Sequence, residues 1–134
     1  MRSYNETWAQ LCSDGALINS GGRQFTVARR DNEAALAGCP MHMLLGALGA
    51  CIVLTVNAVA EHKQIDLKDL KVRLDYQQDD RGATRFDVDL SLGSALTDRE
   101  RKILYQSARL CEVGKLLKSD VHIDYRLKNA EVAS

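Results

Sequence analysis

The chain has 134 residues, with 18 basic side chains against 18 acidic and no net charge when histidine is neutral. That length points to one domain, residues 1–134, large enough to bury a core without disulfide staples. The balanced charge has no Lys or Arg run to track a phosphate backbone, which argues against nucleic-acid binding. The opening MRSYNETWAQ lacks the apolar core of a signal peptide, so a cytoplasmic location is expected.

In chain order, Asn5 to Cys12 reads as a first strand with Trp8 as its large buried anchor. Asp14-Gly15 is a turn signal, and Ala16 to Asn19 is a short, half-apolar second strand. Ser20-Gly21-Gly22 turns the chain again into Arg23 to Arg30, where Phe25 and Val27 share a face. These segments make a three-stranded antiparallel meander. Asp31 to Gly38 is a polar connection, neither strand nor helix.

Pro40 to Ile65 is the segment around which the rest is arranged. No polar side chain occurs between Met43 and Leu54. Met41, Leu44, Leu45, Leu48, Ile52, Val56 and Val59 follow helical spacing, and Ala47, Ala50, Leu54 and Ala58 make the other side apolar too. Pro40 suits the first turn, and His62 with Lys63 suits the last. An apolar run of about 20 residues is what a bilayer span requires. His42, Thr55 and Asn57 interrupt this one, and strongly amphipathic segments follow it, so a helix buried in a soluble core is the expectation and no membrane partner is foreseen.

From Asp66 to Gln78 the period returns to two, with Leu70, Val72, Leu74 and Tyr76 on one face. Asp79-Asp80-Arg81-Gly82 is a turn, and Ala83 to Leu92 returns with Phe86, Val88, Leu90 and Leu92 inward. Thr97-Asp98-Arg99-Glu100 matches a capping box. The helix it opens carries Leu104, Ala108 and Cys111 on one face and is expected to break at Gly114, with one further turn over Lys115 to Lys118. Val121, Ile123, Tyr125 and Leu127 alternate with charged residues, which predicts a final half-buried strand. The order is βββ-α-ββ-α-β, an α+β fold with a mainly antiparallel sheet packed on the long central helix. One sheet covers one side of a helix that is apolar all round. Leu48, Ile52, Val56 and Val59 in particular exceed what a small sheet can cover, so a second copy of the chain is expected across a two-fold axis.

The cysteines are Cys12, Cys39, Cys51 and Cys111, expected as thiols in the cytoplasm. No Cys-x-x-Cys occurs, and His42, His62 and His122 are scattered, so no metal site is expected. Twelve residues of helix rise put Cys39 ~18 Å from Cys51, beyond disulfide reach. Only Cys111 can be brought against Cys51 by the fold. Each of the two also has a plain reading as a small buried hydrophobe. If a new turn begins at Cys111, its N–H groups would stabilise a thiolate.

PMHMLLGALGAC, from Pro40 to Cys51, followed by ARLCEVGKLL, from Ala108 to Leu117, resembles the osmotically inducible protein C and organic hydroperoxide resistance family. The resemblance implies an intertwined homodimer with active sites at the subunit interface. It implies a peroxidatic Cys51 that attacks an organic hydroperoxide and a resolving Cys111 that traps the sulfenic acid as a disulfide. It also implies a dithiol reductant, lipoyl groups in some members, and no bound cofactor. Two departures stand out. In the hydroperoxide resistance branch a glutamate follows the proline, where this chain has Met41; in the wider family it often comes one residue later, where this chain has His42. The family's Cys-Pro is here Cys111-Glu112, and the acidic neighbour is expected to raise the Cys111 pKa. His42 is thus the candidate activating group, although nine residues of helix place it ~13 Å from Cys51, so it could reach a thiol only across the dimer. Arg23, Arg29 and Arg30 are candidates for the activating arginine by their place in the N-terminal sheet. Two rival readings remain: a member that binds a small apolar ligand or senses redox state without efficient turnover, and a structural dimer with inert buried thiols.

Overall fold

The computed structural model describes residues 7–13, 15–28 and 39–128. The expected starts of the first strand at Asn5 and of the turn at Asp14 fall outside these residues, as do Arg29, Arg30 and the 31–38 connection.

The strands β1 (Thr7–Cys12), β2 (Gly15–Ser20) and β3 (Arg23–Val27) form an antiparallel meander in the order β1-β2-β3. Ser20 faces Arg23 across the second turn, and Gly21 and Gly22 both have positive φ, 59° and 81°. A two-residue hairpin loop with that geometry matches the twist of its strands and favours glycine. Trp8 is not the buried anchor its size suggested: it is 38% exposed. Burial instead falls at the far end of the meander, on Val27 and Ala28.

Helix α1 spans Pro40–His62 with Pro40 in its first turn. It packs against α2 (Asp98–Ala108), β4 (Lys71–Gln78) and α3 (Glu112–Leu117). Leu48, Ile52, Val56 and Ala60 are buried on one face and join Ile65, Leu92, Leu104 and Cys111 in the core. Gly49 lets β4 come close, since a methyl group there would lie 2.8 Å from Leu74 Cδ1. The argument that Leu48, Ile52 and Val56 need a second chain is therefore corrected. Hairpin and helices of the same chain cover them. The side left open is Ala47, Ala50, Leu54 and Ala58, with Leu54 68% exposed. By length and composition α1 could cross a membrane, but its Leu48, Ile52, Val56 and Ala60 face is packed into this core.

Strands β4 and β5 (Thr84–Ser91) make an antiparallel hairpin in which Val72 faces Leu90, Leu74 faces Val88 and Tyr76 faces Phe86. The Asp79 carboxylate accepts from the Arg81 and Ala83 N–H groups at 2.9 Å each, closing the turn where it was expected. Pairing begins at Lys71, later than the Asp66 read from alternation, because residues before it have no strand opposite. The capping box forms: Thr97 Oγ1 accepts from the Glu100 N–H at 3.1 Å, and Glu100 Oε1 accepts from the Thr97 N–H at 2.9 Å.

Two further expectations are corrected. The hairpin and the meander are separate sheets within the chain, not one. The alternating segment from Val121 to Leu127 forms no strand, and Tyr125 and Leu127 are 89% and 92% exposed. Alternation records that one face is meant for burial; a strand also needs a sheet edge docked against it, and none of the free edges of the two described sheets is paired with this segment.

Candidate active site

Cys51 lies in the fourth turn of α1, half-buried, and its carbonyl accepts a hydrogen bond from Thr55 Oγ1 at 2.7 Å. Helix α2 ends at Ala108, and after a two-residue turn the chain starts again as α3, with Cys111 as its N-cap. Gly114 is thus inside the new helix and does not break the old one. The interruption falls at Arg109 and Leu110, where the α2 ladder ends and a cysteine supplies the next cap.

The cap is the thiol itself. Cys111 Sγ accepts from the Gly114 N–H at 3.3 Å, in the position usually held by a serine or aspartate oxygen. Cys111 is 3% exposed, Cys51 packs against the same core cluster, and the two are near enough for Cys51 to perturb the Cys111 thiol. The fold therefore brings together the two cysteines that were 60 positions apart in sequence. Burial pushes the Cys111 thiol above its ordinary range. The neighbouring Cys51 adds to that rise, while the Gly114 N–H and the Lys118 ammonium oppose it. Glu112 was expected to raise this pKa. The direction is as expected, but its causes are burial and Cys51, and Glu112 occupies the first position of α3, where an acidic group suits the helix dipole.

The other candidates are elsewhere. His42 is exposed in the first turn of α1, nine residues from Cys51. Arg23 is exposed at the start of β3, and Arg29 and Arg30 lie outside the described residues. Cys12 ends β1, and Cys39 is buried as the N-cap of α1; neither is in a disulfide, nor are Cys51 and Cys111. Among the described residues no group of His, Cys, Asp or Glu is gathered around a metal position.

Sequence reasoning missed the groove. A cavity of about 470 Å³ opens beside the thiol pair, walled by Leu48, Ile52, Phe86, Val88 and Leu117, with Cys111 in its lining. Arg85, Arg109 and Lys118 also line it. Lys118 stands seven positions after Cys111, two helical turns on, a spacing that could have marked it. Nothing local could have placed Phe86 opposite, because that depends on how the hairpin docks.

The arrangement belongs to a known architecture. An OsmC-like protein from Mycoplasma pneumoniae superposes with a TM-score of 0.74 at 21% identity, covering 88% of this chain and 89% of that one. An organic hydroperoxide resistance protein from Elizabethkingia anophelis gives 0.62 at 17% identity, over 90% and 93% of the two chains. One from Legionella pneumophila gives 0.59 at 15%, over 87% and 92%. At such identities the likeness speaks for the fold alone. No curated protein sequence matches the chain. The family described as OsmC-like protein matches residues 31–126, a span that holds α1, the hairpin, α2, α3 and both facing cysteines; the chain belongs to the OsmC-like protein family.

Proposed function

We propose that this protein is a cytoplasmic, homodimeric, thiol-dependent peroxidase that reduces organic hydroperoxides through Cys51 and Cys111. The observation that carries the reading is the nearness of the two cysteines beside an apolar groove. The Cys51 thiolate attacks one peroxide oxygen. The O–O bond breaks, an alcohol leaves after taking a proton, and Cys51 becomes a sulfenic acid. The Cys111 thiol then attacks that sulfur, water departs, and a disulfide remains for a dithiol to reduce. Trapping within the pair limits over-oxidation, and apolar walls favour an organic peroxide over hydrogen peroxide. Two of the similar structures are organic hydroperoxide resistance proteins, which supports the same class. The exposed Ala47, Ala50, Leu54 and Ala58 face of α1 and the unpaired 121–127 segment support a second copy of the chain as partner.

Two features favour a second reading, in which the protein binds a small apolar ligand or senses redox state with little turnover. Met41 stands in the first turn of α1 where the hydroperoxide resistance branch has its glutamate, and the buried Cys111 thiol is hard to ionise. Stopped-flow oxidation of the reduced protein by an alkyl hydroperoxide separates the two. Cys51→Ser should abolish consumption. Cys111→Ser should react once and then over-oxidise, while Cys12→Ser and Cys39→Ser should turn over like the parent. If peptide mapping finds both Cys51 and Cys111 reduced after peroxide treatment, the peroxidase reading fails.

A further inference from the structure

The short helix after Cys111 carries a group that the redox pair leaves unused. Gly114 and Lys118 stand three and seven positions after Cys111, a spacing that sets all three along one face of α3. All three line the groove. We propose that Lys118 is a positioning residue for the resolving step, the cation that faces the Cys111 sulfur while it attacks the oxidised Cys51. This rests on the reading of the two cysteines as a redox pair.

Three observations support the assignment. The first is how α3 is stitched. Cys111 Sγ accepts from the Gly114 N–H at 3.3 Å, and the Gly114 carbonyl accepts from the Lys118 N–H at 3.2 Å. One glycine thus ties the sulfur to the residue that carries the cation. A helical side chain leans toward the N-terminal end of its helix, so the Lys118 stem runs back toward Cys111. The second is clearance. Gly114 lies between the two on that face, and a Cβ there would stand 3.0 Å from Cys111 Sγ. With no side chain at this position, nothing from α3 separates the ammonium from the sulfur. The third is charge. Lys118 has no ion pair among the described residues. Its ammonium favours the charged form of Cys111, against burial and the nearby Cys51 of α1. The other charged groups around this sulfur are placed differently. Arg85 of β5 is held by Asp87 at 3.2 Å. Arg109, in the turn before α3, is shared between the groove and a second cavity that Asp89 also lines. Glu112 and Lys115 are exposed and stand outside the groove lining. Among all these charges only that of Lys118 bears on the Cys111 thiol.

The resolving step needs such a cation because the thiolate, not the thiol, is the nucleophile. The Cys111 thiol gives its proton to solvent. The thiolate then attacks the Cys51 sulfenic acid that the hydroperoxide has formed. An electron pair from Cys111 makes the S–S bond, the S–O bond breaks, and its pair leaves with hydroxide, which is protonated to water. A cation beside the sulfur stabilises it only while it is charged, so Lys118 acts on the attack and loses its hold once the disulfide exists.

The test uses the whole protein. In a Cys51→Ser background, the rate of iodoacetamide labelling at Cys111 is followed against pH by peptide mass. Lys118→Met should move that profile to higher pH, and Lys118→Arg should restore it. Lys115→Met removes a neighbouring charge outside the groove and should leave the profile in place. A parental profile in Lys118→Met, or an equal shift in Lys115→Met, overturns the proposal. With both cysteines present, the reduced protein is oxidised by tert-butyl hydroperoxide, and the Cys51 sulfenic acid is captured with dimedone at successive times. It should last several-fold longer in Lys118→Met than in the parent, and Lys118→Arg should shorten it again. Equal lifetimes overturn the role of Lys118 while the peroxidase reading stands. If the hydroperoxide leaves Cys51 of the parent unoxidised, the peroxidase reading falls and this role falls with it.

Discussion

Adding one methyl group at Gly114 probes the cap that holds Cys111. A Cβ built there lies 3.0 Å from Cys111 Sγ and 3.7 Å from Leu48 Cδ1, where ordinary contact begins near 3.4 Å. The sulfur must therefore retreat by about 0.4 Å. Alanine favours a helix over glycine by ~1 kcal/mol, and overpacking costs ~1–3 kcal/mol, so Gly114→Ala should lower stability by roughly 0–2 kcal/mol. The larger effect falls on the thiol. The Gly114 N–H at 3.3 Å favours the charged form of Cys111, and a hydrogen bond to a charged group is worth ~1.5–3 kcal/mol. Weakening it raises the pKa further and leaves less thiolate at neutral pH. Urea unfolding in reductant reads the first effect. The rate of iodoacetamide labelling at Cys111, measured in a Cys51→Ser background, reads the second. A variant more stable than the parent by ~1 kcal/mol, the full helix-propensity gain, that labels at the parental rate would falsify the geometry.

Leu104 is fully buried in the core, so Leu104→Ala should cost ~3–5 kcal/mol by urea denaturation, and a loss under ~1 kcal/mol would mean the site is not packed as described. The Cys111 thiol is held above its ordinary range in the folded chain, so as pH rises the unfolded chain releases that proton first. Its contribution to the stability of the reduced protein is fully present below pH ~8.5 and is lost as pH climbs through the raised folded value. Cys111→Ser should flatten that decline relative to the parent, and parallel pH curves for the two would count against it. The open alanine face of α1 centres on Leu54. Sedimentation should therefore give a two-chain particle that Leu54→Glu weakens without unfolding, whereas a parental monomer at all concentrations would discard the dimer.

What could be read in advance was whatever is local. Thr97 and Glu100 lie three positions apart, and that spacing alone dictates the capping box. Gly21-Gly22 dictated a tight hairpin, and the alternation through Val72, Leu74 and Tyr76 gave the inward face of β4. The helix from Pro40 followed from its unbroken apolar run. What could not be read depends on surfaces distant in sequence. Val121 to Leu127 alternates as well as β4 does, yet pairing requires an edge that the sequence does not name. Cys111 was noticed as a cysteine near a helix break. That its own sulfur is the cap of the next helix depends on the two-residue turn after Ala108. The cations at the groove escaped notice because Arg109 and Lys118 look like ordinary surface charges until Phe86 and Val88 are set opposite them.

The cap that starts α3 and the middle of α1 are far apart along the backbone, so a covalent bond between their sulfurs would close a loop of about 60 residues. By chain entropy such a crosslink removes about 4 kcal/mol of freedom from the unfolded ensemble. The same cycle runs backwards: whatever the crosslink adds to folding, the fold adds to the crosslink, about 90 mV more reducing than the same two thiols in an unfolded chain. Oxidised and reduced molecules should thus differ in melting temperature. A heat ramp on a mixed population would sort the two forms, and a protease acting at the upper end of that ramp would clear the reduced chains first.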